Sequence, residues 1–311
     1  MKKFITTPIY TRFFYMLLLA AGSISQAAAQ SLGEAPALLQ PSGTQWYQNQ
    51  YLANPAMAGV DSGMHINAAY RRLWNGMEGA PKTAFFTADG VVTGRVGAGI
   101  NVFNDQAGLI NRTRVGLTYA YHLPLGARGQ RLHFGLSFVF NVHRLNYEHV
   151  DGDVTDPSLA AFNRRDDYFE AEYGMAYTDG PWTLQAAIPN VRALFTGEDR
   201  GVNGGGVFFT AASYRFTLPG AISRIEPKVG YRGVRGYDNI LDAGVQISFL
   251  NNVASVMGMY HSSQSVTAGL GFNIMKTVQI QALYNAQTGG IQNNIDGAFE
   301  VGATIDLFRR R

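Results

Sequence analysis

The chain contains no cysteine, which excludes a disulfide framework, thiolate metal sites and thiol redox chemistry. Charge is sparse, at 15% of 311 residues, and the longest run of one sign is the terminal Arg309-Arg310-Arg311. Beyond Gln30 no stretch approaches the ~18 uninterrupted apolar residues of a membrane-spanning helix. No segment of the chain keeps a helical hydrophobic period. No Gly-x-Ser-x-Gly elbow occurs either, so the commonest serine-hydrolase signature is missing.

Residues 1–29 read as a secretory signal peptide. Lys2, Lys3 and Arg12 form a positive start, Phe13–Ala21 is a short apolar core, and Ala27-Ala28-Ala29 provides the small residues before cleavage, with Gln30 as the expected mature start. The apolar core is shorter than the ~20 residues of a helical anchor. Export changes the charge balance. The full chain carries 25 basic against 22 acidic residues, and removing three basic ones leaves 22 against 22. The basic pI therefore gives no support for nucleic-acid binding, which needs a basic patch on the folded domain.

What the chain does have is glycine (36), phenylalanine (19) and tyrosine (16), at a mean hydropathy of −0.06. Near-zero hydropathy is compatible with life in a bilayer if alternate residues face lipid and a polar lumen, as in a β-barrel. Period-two alternation is pervasive. In Arg131–His143 the even positions are Leu132, Phe134, Leu136, Phe138, Phe140 and Val142, whereas the odd ones include His133, Ser137 and Asn141. Runs of about ten residues match the ~9–11 of a tilted membrane strand.

The alternation predicts an all-β, antiparallel outer-membrane barrel of about fourteen strands. These begin near Met64, Lys82, Arg95, Ile110, Arg131, Tyr168, Trp182, Val207, Arg224, Ile240, Val253, Ser265, Thr277 and Ile295. Links after even strands are short (Asp89–Gly94, Asp179-Gly180-Pro181, Asn251-Asn252), and those after odd strands include Asn146–Asp167 and Pro189–Gly206. Short periplasmic turns and longer surface loops follow from that asymmetry. The polar face carries Arg112, Arg114, His133, Glu170, Glu172, Glu226, Lys228, Arg232, Asp242 and Glu300. A dry sandwich core could not bury these without strict pairing, but a narrow lumen could. Inward Gly97, Gly99, Gly135, Gly244, Gly269 and Gly271 would relieve crowding there. The domain reading is a signal peptide (1–29), an N-terminal periplasmic or plug segment (30–62) and the barrel (63–311), whose outer face meets outer-membrane lipid.

Other chemistry is poorly supported. His143, His149 and Asp151 lack a nucleophile elbow, and Asp151–Asp156 departs from a calcium loop, with no glycine at its sixth position and Phe162 where the bidentate glutamate belongs. Gly97-Ala98-Gly99 and Gly204-Gly205-Gly206 precede no helix and so are not phosphate cradles. No catalytic residue, metal or cofactor is expected.

The specific signal is the stretch Asn54-Pro55-Ala56-Met57-Ala58-Gly59, followed by Arg71-Arg72-Leu73-Trp74 and Gly79-Ala80-Pro81-Lys82-Thr83. Proline fixes φ and pushes the preceding asparagine out of the α region, so turns frame this region. The wording, NPAxAG and then RxxWxGxxGAPxT, resembles the PorP/SprF family, outer-membrane proteins of the Bacteroidetes type IX secretion and gliding apparatus. Asn104–Gly108, Tyr119-Ala120-Tyr121 and Leu132–Val139 extend the likeness. The resemblance implies a non-enzymatic component supporting export or surface attachment of secreted proteins with C-terminal sorting domains. It further implies a periplasmic machinery partner or an OmpA-like peptidoglycan-binding one.

On this topology Asn54, Pro55 and Gly59 lie at the periplasmic start of the first strand, with Pro81 and Thr83 completing the motif. Arg71 or Arg72, with Trp74, Asn75 and Glu78, would form a docking face for the secreted client. The competing class is an outer-membrane channel or hydrophobic-substrate transporter with an N-terminal plug.

Overall fold

The computed structural model of the protein describes residues 43–73, 80–126, 129–145, 168–191, 206–234, 238–274, 277–288 and 297–308. Fourteen antiparallel strands form one sheet. They are β1 (Met64–Arg72), β2 (Lys82–Thr93), β3 (Val96–Ala107), β4 (Ile110–Pro124), β5 (Arg131–Leu145), β6 (Tyr168–Asp179) and β7 (Trp182–Ile188). Then follow β8 (Gly206–Tyr214, resuming after Arg215 as Phe216–Thr217), β9 (Ile222–Val234), β10 (Ile240–Phe249), β11 (Ala254–His261), β12 (Ser265–Ile274), β13 (Val278–Gln287) and β14 (Ala298–Leu307). Each strand pairs with the next, and β1 pairs with β14 from Met64↔Leu307 to Arg72↔Phe299, so the sheet closes into a barrel without edges.

Closure sorts the side chains by the alternation. On β5, His133 and Val139 face inward and are 0% exposed, while Phe138 between them is 63% exposed on the outside. Outward Leu117, Phe272 and Val301 repeat the pattern on β4, β12 and β14. An apolar exterior around a polar interior is what a bilayer solvent demands. Among the described residues no helix is long and apolar enough to cross a membrane.

Strand starts agree with the sequence reading to within a few residues, and the departures have local causes. Leu250, Asn251 and Asn252 all have positive φ (50, 57 and 69°), so the turn takes in Val253 and β11 starts at Ala254. β2 does not turn at Asp89. It runs on to Thr93 through an irregularity between Val91 and Thr93, because Asp89 and Gly90 stay paired with β1 and β3 on either side. The wall is uneven in height: β4 and β5 have 15 residues each, and β7 has 7.

Before β1, a helical turn α1 (Thr44–Tyr47) and two 3-10 turns (Gln50–Leu52 and Pro55–Met57) lie within the barrel, packed on inward faces of strands from both sides of it.

Candidate functional site

The first half of the sequence motif builds its own turn. Asn54 is extended (φ −151°, ψ 113°), and its side-chain oxygen accepts from the Ala56 N–H at 3.0 Å, with Pro55 at the first position of the 3-10 turn. Asparagine supplies the cap and proline a pre-set φ with no amide to satisfy. The Asn54 amide then donates to the Met175 carbonyl of β6 at 3.1 Å, tying the turn to the wall. Gly59 closes the motif at φ +69°, and a Cβ there would lie 2.6 Å from the Gly90 carbonyl oxygen. Its N–H donates to Asp89 at 2.9 Å.

Wall glycines receive this segment. Gly135 and Gly174 are cross-strand partners on β5 and β6. A Cβ on Gly135 would run into the Pro55–Ala56 peptide, one on Gly174 into the Asn54 side chain, and one on Gly97 into the Ala58 carbonyl. Gly99 and Gly230 make room for the rings of Tyr51 and Trp46, each 2.7 Å from a hypothetical Cβ. These glycines are placed for close approach of the inner segment. Gly244, Gly269 and Gly271, read from sequence in the same way, are crowded instead by wall side chains: Met259, Leu283 and Ser255.

Polar contacts fasten the rest. Glu300 on β14 accepts from the N–H groups of Gly43 and Thr44, both at 3.2 Å, and from the Thr44 hydroxyl. Lys228 on β9 donates to the Trp46 carbonyl at 2.6 Å and to Gln50 at 3.0 Å. Asn49 donates to Thr87 at 2.8 Å, and the Tyr51 hydroxyl meets Thr118 at 2.6 Å. Trp46 is 0% exposed, with its ring 5.9 Å from Phe209 and 6.1 Å from His261. Burial, only partly opposed by hydrogen bonds with Thr118 and Asn101, pushes the Tyr51 phenol above its ordinary value, so it stays neutral.

The second half of the motif reaches the same interior. Arg71, 4% exposed, faces inward and lies opposite Glu300 on β14 and Thr83 on β2. Thr83 donates to Asp105 at 2.9 Å. The Leu73 N–H donates to the Pro81 carbonyl at 3.0 Å, closing the strand ends above them. Arg71 therefore does not offer its charge outward: alternation puts it in the lumen, and the outward neighbour is Arg72. Trp74, Asn75 and Glu78 lie outside the described residues, as do His149, Asp151 and the whole of the Asp151–Asp156 loop.

Two polar clusters complete the lining. Arg232 donates to both oxygens of Asp242, at 2.7 and 3.1 Å, and Oδ1 also meets His261 Nδ1 at 2.5 Å; His261 Nε2 meets Thr267 at 2.8 Å. An Asp–His–Thr chain has the order of a proton relay, but Thr267 also takes a bond from Asn285 at 2.8 Å and is buried beneath the inner segment. These bonds keep the buried polar groups satisfied. His122 and His133 meet at 2.8 Å between their Nδ1 atoms. Among the described residues no cluster of three or more His, Asp or Glu is set to hold a metal. A polar cavity of about 230 Å3 remains at the short-turn end, lined by His65, Asn67, Asp89, Gln246 and Ser248 among others.

A motif whose two halves both grip the inside of one barrel is not a generic barrel feature, and the sequence matches the family model for the type IX secretion system membrane protein PorP/SprF over residues 37–305. The chain belongs to the PorP/SprF family. No curated protein matches it. Among solved structures it is similar to the Ralstonia pickettii toluene transporter TbuX, at 12% identity and a TM-score of 0.52, covering 83% of this chain and 93% of that one. It also matches the P. putida toluene transporter TodX (10% identity, TM-score 0.49, 86% and 95% covered). A third match is the Acinetobacter baumannii outer membrane protein Omp33 (9%, 0.48, 80% and 100%). At such identities TbuX speaks to the barrel fold alone.

For a PorP/SprF protein, sequence reasoning found the motif but missed what holds it. Lys228 and Glu300 were legible as polar-face residues, without their partners. Trp46 and Thr44 gave no signal, because nothing in a period-two pattern marks which residues will enter a lumen. The inward glycines were the one available clue.

Proposed function

We propose that this PorP/SprF chain is a plugged, non-enzymatic outer-membrane component of the type IX secretion and gliding apparatus. It supports export or surface attachment of secreted proteins that carry C-terminal sorting domains, by linking them to periplasmic machinery or to an OmpA-like peptidoglycan-binding partner. The observation that carries this reading is the occupied lumen: residues 43–60 are held by Glu300, Lys228, Asp89 and the Met175 carbonyl, and sit on glycines that admit nothing larger. A barrel sealed this way offers its two rims, not its pore. Residues 74–79 would then serve the client at the long-loop rim, and the short turns would serve the machinery.

The channel reading draws on the fold shared with TbuX, a toluene transporter. Against it stands the polar lining of the cavity at the short-turn end, since a hydrophobic substrate wants an apolar path. Planar-bilayer recording together with crosslinking and pull-down in mild detergent separates the two. A scaffold gives little conductance and recovers envelope partners. Steady channel conductance with no partner recovered would overturn the proposal.

A further inference from the structure

The outer face of the barrel carries an asymmetry that neither the lumen segment nor the family explains. At the long-loop end of β1 to β5, the outward residues in one transverse row are Arg72, Lys82, Gln106, Asn111 and Arg144. Each is the cross-strand partner of the next. The row begins where the apolar band stops: on β5 the outward positions from Leu132 to Val142 are all apolar, and Arg144 follows. The only carboxylates on β1 to β5, Asp89 and Asp105, are buried on the inner face. On β14, β13, β12, β11, β10 and β9 the outward residues toward this rim include Phe299, Tyr284, Val266, Tyr260, Leu241 and Tyr231. The β1 to β5 flank is cationic, and the β9 to β14 flank is aromatic or aliphatic.

Charges on a lipid-facing wall are costly at mid-membrane and nearly free at its boundary. Within the row the charges are not evenly spread. Arg72 and Lys82 are adjacent at one end, Arg144 stands three strand spacings (~14 Å) from Lys82 and four (~19 Å) from Arg72, and amides lie between. Just below the row, Asn104 donates to Asn111 at 2.7 Å and to Thr113 at 2.9 Å, which orders that amide surface.

We propose that this row is a binding site for a diphosphorylated sugar headgroup of an outer-leaflet glycolipid, one phosphate at Arg72–Lys82 and the other at Arg144, with the sugar over Gln106 and Asn111. Guanidinium and ammonium groups match phosphate oxygens, and amides match sugar hydroxyls. A single-phosphate phospholipid would leave one end of the row unused. An acidic protein partner would need to reach a surface flush with the lipid.

The test uses the full mature chain, purified in mild detergent and titrated with diphosphorylated lipid A, the same lipid with its phosphates removed, and phosphatidylglycerol, read by native mass spectrometry. Retention of the diphosphorylated lipid alone is expected, falling about five-fold in Lys82→Gln and further in Lys82→Gln with Arg144→Gln. Lys82→Arg and Arg144→Lys should keep it. Heat-modifiable electrophoretic mobility reports folding. Should the double variant fail to fold, Gln106→Glu exchanges an amide of the row for a carboxylate while leaving all three cations in place, and is expected to lower retention in the same direction. Equal retention of the dephosphorylated lipid, equal competition by phosphatidylglycerol, or unchanged binding in folded Lys82→Gln and Gln106→Glu would overturn the proposal.

Discussion

Thr44 and Glu300 are 256 residues apart in the chain, and the Thr44 N–H and hydroxyl both donate to one Glu300 carboxylate oxygen inside the barrel. Arg71 faces the same carboxylate across the β1–β14 seam. Glu300 therefore joins the strand that closes the barrel, the second half of the family motif and the start of the inner segment.

Glu300→Ala removes an acceptor and leaves buried donors and a buried guanidinium facing it. A loss of about 3–5 kcal/mol is expected, measured by urea unfolding of the detergent-solubilised barrel. Limited proteolysis should show new cleavage between residues 43 and 60. A variant as stable and as resistant as wild type would mean Glu300 does not anchor the segment.

Gly135→Ala places a methyl group on the Pro55–Ala56 peptide, which is backbone and cannot rotate away. The wall is common to every element, so the segment should yield first, with a cost of roughly 1–3 kcal/mol and more frequent conductance events in planar bilayers. Gly258→Ala is the control, since nothing lies within 4 Å of its hypothetical Cβ. Equal behaviour of the two variants would remove the steric argument.

Trp46→Ala empties the pocket between Phe209, His261 and Gly230. Truncating so large a buried ring should cost about 3–5 kcal/mol. In the wild type, comparison of the two spectra should assign to Trp46 an emission shielded from acrylamide. A quenchable Trp46 would place the ring in water and contradict its burial.

Trp74→Ala tests the docking proposal at the long-loop rim. Surface display of a client with a sorting domain should fall while heat-modifiable mobility, and hence insertion, stays normal. Arg71→Gln should instead lower stability, because Arg71 is buried. Normal display in Trp74→Ala would sink the docking face.

Much of the wall was legible because period-two alternation is a local property. Leu132 to Val142 on one face and His133 to Asn141 on the other need no knowledge of neighbours to be sorted. Turn chemistry was legible where the backbone itself demands it, as at Asn251-Asn252. It misled at Asp89-Gly90, where a residue pair typical of turns stays in β2 because both residues pair with β1 and β3, a long-range constraint no local pattern shows.

By itself the sequence determined the class of solution: alternate apolar and polar residues over about ten positions, with no cysteine and no long apolar run, leave a lipid-facing barrel as the structure that satisfies every backbone group. It also marked Asn54-Pro55 and Arg71–Thr83 as special. Only the tertiary structure decided what those residues are for. Closing β1 on β14 brings Arg71 opposite Glu300, and Glu300 against Thr44, so both motif halves share one interior. Register across a closed sheet is a long-range property, set by fourteen strands together. No local pattern in the chain encodes which inward glycine will meet Pro55.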